Sequence, residues 1–160
     1  MPEPLLSIEA KLKAMGHDLP PAPNPAANYV PFVREGNLLF IAGQIPWGAD
    51  GKLHHVGKVG REIDEASAYQ AARMCGLNAL AQAKQALGSL DLIRRVVRVG
   101  GFVNAAEDFT GHPKVINGVS DLLGELFGEQ GRHARASVGC SSLPLGAAVE
   151  VDMILAVKSD

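Results

Sequence analysis

From Val149 to Val157 the chain alternates, and this stretch constrains the fold more than any other. Val149, Val151, Met153, Leu155 and Val157 fall on one side; Glu150, Asp152, Ile154 and Ala156 fall on the other. A period of two is the period of a β-strand, whose successive side chains leave opposite faces of a sheet. A slip of one residue would exchange the two sets, so the register is strongly specified. One face must enter a core. The other mixes two carboxylates with two apolar side chains, a composition that suits neither open water nor a dry interior.

The remaining elements read around that strand. Ser7 can cap a short helix from Ile8 to Met15, with Gly16 as its stop. Residues 18–28 hold four prolines and read as an extended connector. Val30–Arg34 and Leu38–Ala42, separated by Glu35-Gly36-Asn37, predict a β-hairpin. A short strand is expected near Leu53–Val56. Residues 62–87 carry the strongest helix signal: alanine dominates, acidic residues fill the first turn, and Gly88 follows. Residues 92–103 predict a long strand, in which Gly100-Gly101 signals a bulge or a close backbone approach. Pro113 can open a second long helix reaching Phe127. Two strands, Arg135–Ser141 and Ala147–Val157, flank a turn at Leu143-Pro144-Leu145-Gly146. The order is an N-terminal helix and then ββ(β)αβαββ. The expected fold class is α+β, a mixed sheet with two helices on one face. Residues 1–27 form a helix and proline-rich connector, and 28–160 form one domain. The uncovered sheet face is expected to bury itself against copies of the chain.

Composition narrows the function. Apolar residues make up 47% and charged residues 20%, with a formal net charge of −2 and no run of like charges. A nucleic-acid partner is therefore not expected, because phosphate binding needs a basic footprint. Cys75 and Cys140 show no metal or redox spacing and read as reduced thiols. The N-terminus lacks the pattern of a signal peptide, and no apolar stretch approaches a membrane span, so a cytoplasmic location is expected. There is no dinucleotide fingerprint, phosphate loop, zinc-protease motif or nucleophile elbow. His54-His55 reads as a solvated turn, because adjacent strand residues point apart.

The segment that invites chemistry is His133-Ala134-Arg135-Ala136-Ser137-Val138, followed by Leu143-Pro144 and Val149-Glu150-Val151. Arg135 and Ser137 share one face of their strand. A permanently charged guanidinium in an apolar strand needs an anionic partner. That partner is either a structural carboxylate or the carboxylate of a ligand, and spacing by itself favours the first. Glu150 faces the same choice between a salt bridge and acid–base work.

Arg135 with Leu143-Pro144 eight residues on and Glu150 in the last strand resembles the signature of the reactive intermediate deaminase (RidA, or YjgF-like) family. Tyr29, the run Gly43-Gln44-Ile45-Pro46 and Asn117 match further family positions. The likeness covers about residues 28–158. It implies a chorismate-mutase-like fold and a homotrimer whose sheets close into a central barrel, with ligand sites between subunits. It also implies cofactor-independent hydrolysis of reactive 2-imino acids to 2-keto acids and ammonia. Neither a metal nor a cofactor is implied, and the partners are a small carboxylate and further copies of the chain. By this likeness Arg135 clamps the substrate carboxylate and Glu150 holds the attacking water. Tyr29 lines the cleft from across the interface, and Ala42, Gly43, Asn117 and Ser137 complete the substrate contacts. The sequence departs from the family pattern at two of these positions and at a neighbour: Ala42 stands where serine is frequent, Ser137 where several members have cysteine, and His133, just before Ala134-Arg135, where proline is usual. A carboxylate-binding regulatory trimer, and more weakly an endoribonuclease, are the alternatives.

Overall fold

The computed structural model describes residues 4–159; residues 1–3 of the N-terminal segment and the final residue lie outside the described residues. Ser7 caps α1 (Ile8–Ala14) by accepting from the Ala10 N–H, and Gly16 follows with a φ of 83°. After the connector, β1 (Phe32–Glu35) pairs antiparallel with β2 (Leu38–Gln44). The hairpin lies where it is predicted, but β1 starts after Pro31, which has no N–H for a ladder.

The expected strand near Leu53–Val56 is absent. Leu53 pairs only with Trp47, and Val56 only with Ala147, as isolated bridges. His55 sits at a φ of 55° between them, which breaks the extended run. Helix α2 (Glu65–Leu87) starts three residues later than its composition suggests. Asp64 caps it by accepting from the Ser67 N–H at 2.7 Å, while Glu62 is drawn away to the Lys58 N–H at 2.8 Å.

Then come β3 (Ile93–Asn104), α3 (His112–Phe127), β4 (Ala134–Cys140) and β5 (Val149–Val157). The sheet order is β1-β2-β5-β3-β4. Among the described strands only β3 and β4 pair in parallel, with α3 as their crossover. The sheet is thus mixed and the fold α+β, with α2 and α3 on one face. Val149, Val151, Met153, Leu155 and Val157 are all buried on that face. The bulges of β3 lie at Ile93–Arg98, before the glycine pair. Gly100 and Gly101 instead mark close approaches: a Cβ would meet the Asp152 carboxylate at the first and Ile116 at the second.

The opposite face is uncovered in the single chain. It presents Val33, Phe40 and Val138, each 40% exposed or more, beside Glu150 and Asp152. Among the described residues no helix is long and apolar enough to cross a membrane. Cys75 is buried and Cys140 partly so, and both are free thiols.

Small residues set the spacing of the two long helices. A Cβ on Gly76 would lie 2.8 Å from Val119, and one on Gly118 would run into the backbone carbonyl of Tyr69. Gly118→Ala therefore poses a clear test. Helix propensity alone favours alanine by about 1 kcal/mol, but the obstacle is backbone and cannot swing aside. A net loss of about 1–3 kcal/mol is expected in urea denaturation.

Candidate functional site

The register of β3 divides the predicted site residues between the two sheet faces. Val99 pairs with both Arg135 and Met153, so Arg135 lies on the helix-covered face; Gly101 likewise aligns Ser137 with Val151. Phe102 pairs with Glu150, which therefore lies on the uncovered face. Within one chain Arg135 and Glu150 do not meet.

Arg135 stands on the edge strand under the first two turns of α3. Its Nη1 donates to Asn117 Oδ1 at 2.9 Å and to Ser120 Oγ at 3.0 Å, and its Nη2 donates to the Pro113 carbonyl at 2.9 Å. All three acceptors are neutral. Among the described residues no carboxylate forms an ion pair with it, so the structural-carboxylate alternative finds no partner there. Ser120 is itself held by His133: Ser120 Oγ and His133 Nε2 are 2.8 Å apart, and His133 Nδ1 lies 2.6 Å from the Gly131 carbonyl. A carbonyl only accepts, so the ring proton sits on Nδ1, and Nε2 receives the Ser120 hydroxyl. Burial, with Arg135 adding to it, holds the His133 imidazole below its ordinary range and keeps it in that neutral form. Ser137 follows Arg135 on the same face, and its buried Oγ has no partner among the described residues.

The second group gathers at the start of β5. Between the Ile41↔Met153 and Gln44↔Val151 pairs, β2 uses one residue more than β5, a bulge at Ala42-Gly43. The Ala42 N–H turns away to donate to the Pro31 carbonyl at 2.9 Å. A Cβ on Gly43 would collide with the Glu150 carboxylate, so glycine leaves the room that this group occupies. Glu150, Gly43 and Tyr29 line a cavity of about 270 Å³ together with connector residues 23–27. Burial raises the Glu150 carboxyl above its ordinary value, and neighbouring Asp152 adds to the effect. Asp152 is raised as well, by burial, although Arg98 at 3.8 Å opposes this.

The structure thus brings Tyr29, Gly43 and Glu150 together, with Ala42 next to them. It brings Arg135, Asn117 and Ser137 together elsewhere. Ser120 and Gln82 are absent from the sequence-based site. Ser120 had a signal available: Pro113, Asn117 and Ser120 are spaced four and three apart on one helix, so they share a face. Among the described residues no cluster of His, Cys, Asp and Glu could hold a metal ion; His54 instead contacts Asp50 at 3.0 Å.

Residues 9–156 match the family described as "YjgF/chorismate mutase-like, putative endoribonuclease". The chain is 42% identical over 153 residues to protein TCP17 of Trypanosoma cruzi, covering 95% of each. It is 27% identical over 139 residues to a 2-iminobutanoate/2-iminopropanoate deaminase of Dermatophagoides farinae, covering 87% of this chain and 93% of that one. A crystal structure of a protein of unknown function from Agrobacterium tumefaciens superposes with a TM-score of 0.88 at 49% identity, covering 96% of this chain and 94% of the other.

Glu150 offers a test of the electrostatics. Its raised pKa means that the folded chain prefers it protonated. Its favourable contribution is present at low pH and is lost as pH rises through the folded value. Glu150→Gln is therefore expected to raise the melting temperature at neutral pH. The gain should shrink in acid, towards the ordinary glutamate range, as thermal denaturation across a pH series would show.

Proposed function

The chain belongs to the YjgF/chorismate-mutase-like family, and from that premise we propose that it hydrolyses small reactive 2-imino acids to 2-keto acids and ammonia. The observation that carries this reading is the guanidinium of Arg135, fixed by three neutral acceptors and without a counter-ion among the described residues. A fork of this kind suits a substrate carboxylate, bound through two parallel charge-assisted hydrogen bonds. The likeness to a 2-iminobutanoate/2-iminopropanoate deaminase supports the substrate class.

The acting unit is a homotrimer. Glu150 and Arg135 leave opposite faces of one sheet, so a ligand touching both needs Arg135 from a neighbouring copy. The apolar residues of the uncovered face supply the surface that such a copy would bury. In the assembled cleft Arg135 holds the carboxylate. Glu150 takes a proton from water as the water oxygen bonds to C2 of the protonated imine, and the C=N electron pair moves to nitrogen. Glu150 returns that proton to the nitrogen of the carbinolamine, the C–N bond breaks with its electron pair leaving on ammonia, and the hydroxyl passes its proton back to Glu150 to yield the keto acid. Most of the rate gain comes from positioning an imine that is already electrophilic. A carboxyl whose pKa is raised by burial is, once ionised, a stronger base than an ordinary glutamate. The endoribonuclease label in the family description finds little support in a chain of net charge −2.

Ammonia release from imines generated in situ by an amino-acid oxidase tests the reading. Arg135→Ala is expected to lower kcat/KM by about 30- to 1000-fold, the equivalent of about 2–4 kcal/mol. Turnover by that variant at the wild-type rate would sink the mechanism. Light scattering should give three times the mass of the chain; a monomer with full activity would exclude the shared cleft.

A further inference from the structure

A guanidinium carries N–H donors on all three of its nitrogens and no acceptor. Nη1 of Arg135 serves Asn117 Oδ1 at 2.9 Å and Ser120 Oγ at 3.0 Å, and Nη2 serves the Pro113 carbonyl at 2.9 Å. The Nε hydrogen and one hydrogen on Nη2 are left over, with no partner among the described residues. They belong to neighbouring nitrogens of one planar fork, the kind of donor pair that meets the two oxygens of a carboxylate. The bonds at the other nitrogen therefore decide which donors a ligand finds.

The bond to Ser120 depends on a further partner. Arginine cannot accept, so the Ser120 oxygen takes a hydrogen from Nη1, and the hydroxyl must give its own hydrogen to another acceptor. His133 Nε2, 2.8 Å away, is that acceptor. It can serve because Nδ1 carries the ring proton and lies 2.6 Å from the Gly131 carbonyl. Burial keeps the imidazole in this neutral form. The donors thus run one way, from Arg135 through Ser120 and His133 to the backbone. The far end is fixed. Gly131 is buried in the turn Gly128–Gly131, and a Cβ there would run into the Leu123 carbonyl of α3. The turn is pressed against the same helix that carries Ser120. An apolar side chain at 133 would offer no lone pair, and the Ser120 hydroxyl would lose its fixed direction.

We propose that Ser120 and His133 are positioning residues for Arg135, a hydrogen-bonded relay that aims its free Nε and Nη2 hydrogens at the ligand carboxylate. This rests on the reading of Arg135 as the carboxylate clamp. Neither side chain touches the ligand; both act through the guanidinium. A binding residue whose rotamer is locked by such supporting hydrogen bonds reaches its productive geometry without further ordering.

Calorimetric titration of the full-length protein with 2-oxobutanoate tests the relay. Ser120→Ala and His133→Leu are each expected to weaken binding about 3- to 10-fold, the net contribution of one hydrogen bond. His133→Gln, whose amide oxygen can accept the Ser120 hydroxyl, should stay within about twofold of wild type. Because His133 acts only through Ser120, the variant carrying both Ser120→Ala and His133→Leu should match Ser120→Ala alone within about twofold. Losses that multiply in the double variant overturn the relay, as does a His133→Gln protein as weak as His133→Leu. Heteronuclear NMR of the wild-type imidazole nitrogens decides without any variant having to fold: the proton is expected on Nδ1 at neutral pH, and a proton on Nε2 overturns the proposal. Arg135→Ala separates the two readings. If it binds the keto acid as well as wild type, or wild type does not bind, the clamp fails and the relay with it. If Arg135→Ala loses binding while Ser120→Ala and His133→Leu retain it in full, the relay alone fails.

Discussion

A guanidinium cannot shed its charge, and the parallel β3–α3–β4 unit is shaped around that fact. The crossover lays the first two turns of α3 over the edge strand, where Asn117, Ser120 and the Pro113 carbonyl take up Arg135. These acceptors orient the group without neutralising it. Had α3 presented an aspartate at position 117, the result would be a satisfied structural ion pair. His133 extends the same logic by one step. Its neutral ring holds the Ser120 hydroxyl, and a positive charge there would sit behind another positive charge.

The two sheet faces then divide the labour. The face under the helices carries the core and, at its edge, the charged fork. The other face carries the carboxylates and the exposed apolar side chains. A single strand, β5, serves both: Val149, Val151 and Met153 anchor it in the core, while Glu150 and Asp152 project to the other side. The same alternation that pins the register also fixes where Glu150 stands, so a one-residue slip would destroy core and site together.

Much of this was legible in the sequence. The period-two pattern of β5, the alanine-rich α2, the hairpin before it and the proline at the start of α3 each carry a local physical signal. The short strand expected near Leu53–Val56 did not form, because His55 takes a left-handed conformation that its identity does not announce. The start of α2 was displaced because two acidic residues competed for nearby backbone donors, and Asp64 won the cap. The division of the site was hidden for a different reason. Which face of β4 meets which face of β5 depends on their common neighbour β3 and its bulges, a long-range pairing that no local pattern encodes. Gln82 escaped notice because a glutamine within a helix carries no signal until something packs against it, and Ser120 was marked only by sharing a helix face with Pro113 and Asn117.

The connector forms a wall of the cavity, yet it belongs neither to the sheet nor to the two long helices. Gln82 ties it down through the Pro23 carbonyl, and a run of prolines keeps it extended between such ties. Leu19 packs against the core near its start and β1 takes over at Phe32, so the stretch in between shapes the cavity wall without contributing a residue to the strands that carry Glu150 and Arg135.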